Sequence, residues 1–323
     1  MLAHWTRALI RSARLDERAR LELCGRTGIP PHALDQPRAP IASEAIHRAW
    51  EELTGDAPPG TGLRFADSLE PSMLGLVGYL AAASPTLLDA LQRVVRHQAR
   101  AKAPGSLVVT IRRDAVHIVD MPPAGQPPWP AALAEAVIGS YLALARRLSR
   151  SSIDALEVTW QHAPPPRGRE HLARWLGCVP RFRAAVNALV LPRAALERPV
   201  TTHDPVLLGY LEPVAASSIT GPEGPLPRVR ALIGHALSSG ERPDLASIAR
   251  AMGTTSRTLQ RRLADEGVAF SSVLDDVRHA TASRLVDDPR LSRAELALLL
   301  GYRDASALGK GLRRMGLSRA GAR

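Results

Sequence analysis

One short stretch of this chain carries side chains whose types and spacing could act on another molecule. Arg257, Gln260 and Arg261 fall at i, i+3 and i+4, so a helix would gather all three on one face. A guanidinium presents a fork of N–H donors, and a carboxamide presents a donor beside an acceptor. Those are the patterns that match stacked base edges: Arg against guanine O6 and N7, Gln against adenine N6 and N7. Arg262 points elsewhere on the same helix and is better placed for a phosphate. Ser256 can cap the helix at its start. The same residues would also make an ordinary solvated helical face, so their meaning depends on what positions them.

What positions them occurs twice. Ile248, Ala249 and Met252 precede Gly253, and Leu259 and Leu263 follow it; Leu296, Ala297 and Leu300 precede Gly301, and Leu308 and Leu312 follow it. A small residue where two helices touch, a glycine free to adopt positive φ, and an i, i+4 leucine pair on the second helix predict a helix-turn-helix at 245–265 and another at 292–314. A helix of about sixteen residues, near Ser271 to Val286, joins them. It would span about 24 Å, and with its flanking turns could set two reading helices near one helical pitch, about 34 Å, apart.

The rest of the 323 residues predict an α+β N-terminal domain with a small antiparallel sheet, followed by an all-α C-terminal domain. From His4 to about Arg100 the pattern is helical, with a helix start read at Ser84-Pro85. Strands are expected at 107–111 and 116–119 as a hairpin, at 153–160 and at 188–191, with helices at 131–148 and 169–176. The run from Ser217 to Pro227, rich in Ser, Gly and Pro, reads as a linker. The division is therefore 1–216, linker 217–228, and 229–323.

Composition narrows the class. Hydrophobic residues make up 45% and charged residues 23%, no apolar run has the length of a membrane span, and Arg7, Arg11 and Arg14 interrupt any leader-like stretch. A cytoplasmic location without membrane contact is the expectation. Cys24 and Cys178 form no metal or disulfide pattern, and the ten His are scattered, so neither metal nor cofactor is expected. The net charge of +11 suits a polyanionic partner; residues 229–323 hold 16 basic and 10 acidic residues, so the excess concentrates where the paired motifs lie. No phosphate loop, G-x-S-x-G or H-E-x-x-H is present, which argues against an enzyme.

The run from Ala249 to Gly267, with Phe270, Asp275 to Arg278 and Asp287 to Leu291, closely resembles the DNA-binding domain of AraC/XylS-type transcriptional regulators. Upstream, Gly75 to Tyr79, Ser84 to Leu87, His162 to Pro164, Leu176 to Cys178 and Asn187 to Leu189 are similar to the arabinose-binding-type effector domain of the subfamily typified by ornithine-utilisation regulators. The resemblance spans nearly the whole chain. It implies that Arg257, Gln260 and Arg261 occupy base-facing positions of a first recognition helix. It also implies that Ser306 and Lys310, with Arg313, serve a second.

The second motif departs from the family pattern. Leu308 and Leu312 stand where phenylalanines are usual, Gly309 and Gly311 lie inside the helix, and the usual ending is absent. That predicts a second helix weakened by about 0.8–1 kcal/mol per glycine. The expectation for the whole is a sequence-specific transcriptional regulator that binds double-stranded promoter DNA under control of a small-molecule effector. The family further implies contact with RNA polymerase, and a homodimer is compatible. The alternative is a degenerate member acting through protein–protein contact. Arg64, Tyr79, Arg96, His97 and Trp160 are polar or aromatic groups of the sensing region that could face an effector or serve structure; the effector-binding residues themselves are not read from the sequence.

Overall fold

Glycines decide how closely the N-terminal helices approach. The computed structural model describes residues 2–36, 39–98, 107–122, 126–217, 225–238, 242–287 and 291–317. The chain opens with α1 (Leu2–Ser12), α2 (Glu17–Thr27), α3 (Pro31–Asp35), α4 (Ser43–Thr54), α5 (Thr61–Ser68), α6 (Leu76–Ala83) and α7 (Leu87–Gln98). Then come β1 (Leu107–Ile111), β2 (Ala115–Asp120), α8 (Ala131–Ser149), β3 (Glu157–Thr159), α9 (Arg169–Leu176), β4 (Ala188–Pro192), α10 (Arg193–Leu196) and α11 (Pro205–Ser217). From there the described elements are helical: α12 (Pro225–Ser238), α13 (Leu245–Ala251), α14 (Ser256–Asp265), α15 (Phe270–Leu285), α16 (Arg293–Leu299) and α17 (Ala305–Arg314). The class is the expected one, α+β followed by all-α.

The strands pair antiparallel. In β1 and β2, Leu107 lies opposite Asp120 and Ile111 opposite Val116; in β3 and β4, Glu157 lies opposite Val190 and Thr159 opposite Ala188. The strand expected over 153–160 is shorter than its apolar alternation suggested. Ala155 N–H is taken by the Leu176 carbonyl at the end of α9, at 2.9 Å, which leaves a ladder of three residues. The helix start expected at Ser84-Pro85 also moves. The Ser84 hydroxyl donates back to the Leu80 carbonyl (2.7 Å), and Thr86 caps instead, its oxygen accepting from Asp89 N–H at 3.1 Å.

The chain forms two compact units, Met1–Val94 with Gln126–Leu211, and Val95–Gly125 with Glu212–Arg323. In the first, α5 lies tight on α8. A Cβ at Gly62 would stand 2.1 Å from the Ala132 carbonyl oxygen, and one at Gly139 would stand 2.7 Å from Leu63. This contact buries Glu135, whose carboxylate accepts from Gly62 N–H at 3.2 Å. Burial pushes its pKa up to about 7, against the pull of the Gly62 and Gly60 N–H groups and of Arg64. Trp5 and Trp50, both fully buried, meet Phe65 edge-on at 6.3 and 5.2 Å.

The second unit is centred on α12. Val229, Ile233 and Leu237 pack with Ile248, Ala249, Leu259, Leu263, Val273 and Val277, so one helix supports α13, α14 and α15 together. The same unit contains the β1–β2 hairpin, from which Arg112 reaches Glu295 on α16 (Nη2 to Oε1, 2.7 Å).

Candidate nucleic-acid interface

Each reading helix is set by a turn whose hydrogen bonds repeat at the same spacing in sequence. In the first, Gly253 N–H donates to Arg250 C=O (3.0 Å) and Thr254 N–H to Ala249 C=O (2.9 Å). In the second, Gly301 N–H donates to Leu298 C=O (2.9 Å) and Tyr302 N–H to Ala297 C=O (2.8 Å). Both glycines have φ of +66°, where a side chain would be strained. The helix before each turn carries a capping box, Asp244 with Ser247 for α13 and Ser292 with Glu295 for α16. The Ser247 N–H and hydroxyl hold the Asp244 carboxyl below its usual range.

The two turns then diverge by one residue. Thr255 caps α14, its hydroxyl oxygen accepting from Thr258 N–H at 3.2 Å. Ser256, expected to be the cap, is the first helical residue instead and is half-buried. Thr and Ser cap about equally well, and the Thr254 to Ala249 bond fixes the chain so that Thr255 takes the extended conformation. In the second copy the cap is Asp304, three residues past its glycine instead of two, accepting from Ala307 N–H at 2.8 Å.

Leu259 and Leu263 are buried at the base of α14, and Arg257, Gln260 and Arg261 are exposed on the side away from them, with Arg262 exposed on the flank. On α17, Leu308 and Leu312 are buried, and Ser306, Lys310 and Arg313 are exposed together opposite the seam. Among the described residues no carboxylate pairs with Arg257, Arg261, Arg262, Lys310 or Arg313, whereas the neighbouring Arg314 is tied to Asp275 at 2.9 Å. These cations therefore face solvent with their charge unspent, as phosphate or base contact requires.

Sequence reasoning missed what seats the second reader. From α15, Arg278 donates to Leu300 C=O (Nε, 2.9 Å) and Gly301 C=O (Nη2, 3.1 Å), and its guanidinium lies 4.6 Å from the Tyr302 ring centroid. The tyrosine fills the space that Gly311 leaves open: a Cβ at Gly311 would stand 2.1 Å from the Tyr302 hydroxyl oxygen. Gly311 is buried and needed for packing, which corrects the view of it as a helix-weakening residue. Gly309 has no atom within 4 Å of its Cβ position. The signal for this arrangement was Arg278 itself, seven residues before the end of its helix at Leu285, with nothing in sequence to pair it to a turn more than twenty residues on.

The candidate groups of the sensing region are scattered among structural roles. Trp160 is fully buried and stacks on His162 at 5.4 Å beside Phe182. Burial lowers the His162 pKa, against the bond between its Nδ1 and the Ala163 carbonyl. Tyr79 is half-exposed, and Arg64 and Arg96 are exposed. No hydrogen bond or ring contact joins Arg64, Tyr79 and Trp160, and the side chain of His97 lies outside the described residues. No described helix is long and apolar enough to cross a membrane.

Residues 18–200 match the arabinose-binding domain of AraC transcription regulators, N-terminal, and residues 248–316 match a helix-turn-helix domain. The chain is 27% identical over 297 residues to the ornithine utilization regulator of Pseudomonas aeruginosa, covering 88% of this chain and 85% of that protein. It is 27% identical to the HTH-type transcriptional regulator VirS of Mycobacterium tuberculosis, covering 90% and 86%. The crystal structure of transcriptional regulator CdpR from Pseudomonas aeruginosa aligns with a TM-score of 0.45 at 26% identity, over 92% of this chain and 93% of that one. These proteins are transcriptional regulators, not enzymes. With its N-terminal match covering more than half its length and its paired turns in the C-terminal third, the chain belongs to the AraC family of transcription regulators.

Proposed function

We propose that this regulator binds promoter DNA sequence-specifically, placing α14 and α17 in two successive major grooves on one face of the duplex. Arg257, Gln260 and Arg261 read base edges in the first groove; Ser306, Lys310 and Arg313 serve the second, and Arg262 holds phosphate. Ser256 completes the first set from the start of α14. The observation that carries the reading is the pair of outward polar faces, each built on the same turn and each free of carboxylate partners among the described residues.

The N-terminal residues 1–216 bind a small-molecule effector, and residues 229–323 bind DNA, with 217–228 as the connection. The regulator acts in the cytoplasm as a homodimer and recruits RNA polymerase. A route for control runs through the hairpin. It belongs to the stretch that matches the effector domain, and it packs in the same compact unit as the reading helices. Burial pushes the Glu295 carboxyl up, but Ser292, Arg112 and His117 outweigh it and keep it charged at the start of α16. An effector that shifts the hairpin thereby changes how firmly the second reader is held.

Pull-down of genomic fragments by the purified full chain, with sequencing and a salt titration, tests this. Enrichment of a two-part site, with affinity falling steeply as salt rises, is expected. Absence of DNA affinity even at low salt, or binding without sequence preference, would overturn it.

A further inference from the structure

Trp160 and His162 are packed by their faces and left unserved at their polar edges. The two rings stack with planes 27° apart, and Phe182 closes on both, its centroid 5.6 Å from Trp160 and 5.5 Å from His162. Trp160 is fully buried, and its Nε1 has no hydrogen-bond partner among the described residues; nor has His162 Nε2, which is equally shut off from solvent. The two cannot serve each other, because an indole N–H lies in the plane of its ring and the stacked imidazole lies above that plane. Their roles are set by their surroundings. The Ala163 carbonyl can only accept, so His162 Nδ1 carries the proton, and burial keeps the ring neutral, which leaves Nε2 a lone pair. One buried donor and one buried acceptor therefore stand in adjoining rings, and each is costly to leave unpaired.

We propose that these two atoms hold the polar end of the effector, an uncharged small molecule that brings both an acceptor and a donor, as a hydroxyl or a carboxamide does. The proposal rests on the effector reading above and adds where the molecule is held and its chemical class. A carboxylate would set its oxygens against the Nε2 lone pair, an ammonium would set its protons against the indole N–H, and either would be buried without a counter-charge at these atoms. The ring faces suit a flat, apolar body. Entry runs past Phe182. Arg183 N–H donates to the His162 carbonyl and Ala184 N–H to the Trp160 carbonyl, both at 3.0 Å, so this segment lies along the stretch that carries both rings. Arg183 has φ of +54°, where a side chain is unfavourable, and the bend sets Phe182 against the pair. Phe182 is only half-buried, so its ring is the outer wall, and its swing outward admits the ligand.

Magnetic resonance of the indole N–H groups of the full chain tests it, with the Trp160 signal assigned through Trp160→Phe. Phenol and benzamide should move that signal saturably. Anisole and N,N-dimethylbenzamide, which accept but cannot donate, and benzoate should bind at least about tenfold more weakly. His162→Phe keeps a ring in the stack and removes the acceptor, so phenol should bind at least about tenfold more weakly while melting holds; His162→Gln, whose side-chain oxygen can accept in place of Nε2, should recover part of the loss. Phe182→Ala should speed exchange of the Trp160 indole proton with solvent. A Trp160 signal unmoved by every probe, or phenol binding unchanged in His162→Phe, would overturn the site. Affinity for the enriched genomic fragments separates it from the reading it rests on. A small molecule that alters DNA affinity while the Trp160 signal stays put would overturn the site and leave effector control standing, whereas probes that fill the site without altering DNA affinity would overturn its part in control.

Discussion

The proposed reading gives adjacent arginines on α14 different contacts, and that difference is measurable. Arg261→Ala should cost about 1–3 kcal/mol on the specific site and blur preference at one base position, while Arg262→Ala should weaken all DNA alike and lower the salt slope by about one. Titrations on specific and scrambled duplexes at several salt concentrations decide it, and an identical uniform loss in both variants would reject the assignment. Glu135 gives a second test at this scale. Folded, its carboxyl titrates near 7 instead of its ordinary 4.5, so the native chain keeps a proton that the unfolded chain releases in between. Its contribution is fully present below about 4.5, declines as pH rises and levels off above about 7, a loss on the order of 3 kcal/mol. Glu135→Gln, which can still accept from Gly62 N–H, should flatten that decline in urea unfolding followed from pH 5 to 8. The outward triad of α14 was legible because its spacing is the helix's own. Glu135 was not: a single Glu in an apolar helix looks like any surface carboxylate until Gly62 is seen to close over it.

Among elements, α17 shows how two identical residues can have opposite consequences. Gly309→Ala meets open space and should stabilise the helix by about 0.8–1 kcal/mol. Gly311→Ala drives a methyl into Tyr302, held in turn under Arg278, and should destabilise the C-terminal unit and weaken DNA binding. Thermal melting of the two single variants separates them; equal stabilisation would mean that Tyr302 moves aside freely. Leu308 and Leu312 fill the seam that larger residues would need more room to occupy, and both are buried. Helix positions in this half were legible from the spacing of leucines about each glycine. The extra residue before Asp304 was legible too, since Leu308 lies seven residues past Gly301 and Leu259 only six past Gly253; which residue would cap each helix was not, because periodicity places faces and not caps. The short β3 has a similar cause: alternation over 153–160 cannot reveal that α9 takes one of its hydrogen bonds.

At the scale of the whole molecule, the linker expected at 217–228 lies mostly outside the described residues, and the two compact units divide the chain differently, with residues 95–125 grouped with 212–323. The place of the hairpin was not legible in the sequence. Its strands were predicted, and β1 and β2 formed, but that Arg112 meets a capping residue of α16 depends on contacts across more than 180 residues of sequence. Both side chains are less than a third exposed, so their coupling should exceed that of a free surface pair, on the order of 1 kcal/mol. Arg112→Glu and Glu295→Arg should each lower stability and alter DNA affinity, and the exchanged double variant should recover part of both. Additive losses would show that the pair transmits nothing. Glu295→Arg also removes a capping partner of Ser292, so full recovery is not expected.

Arg278 is half-buried and grips the turn that seats α17, the helix proposed to read the second groove. A genetic selection for operator variants misread in one half-site should therefore return substitutions at Arg278 together with those at Lys310, as phenocopies. Compensating alleles should arise on the DNA for Lys310 but only within the protein for Arg278.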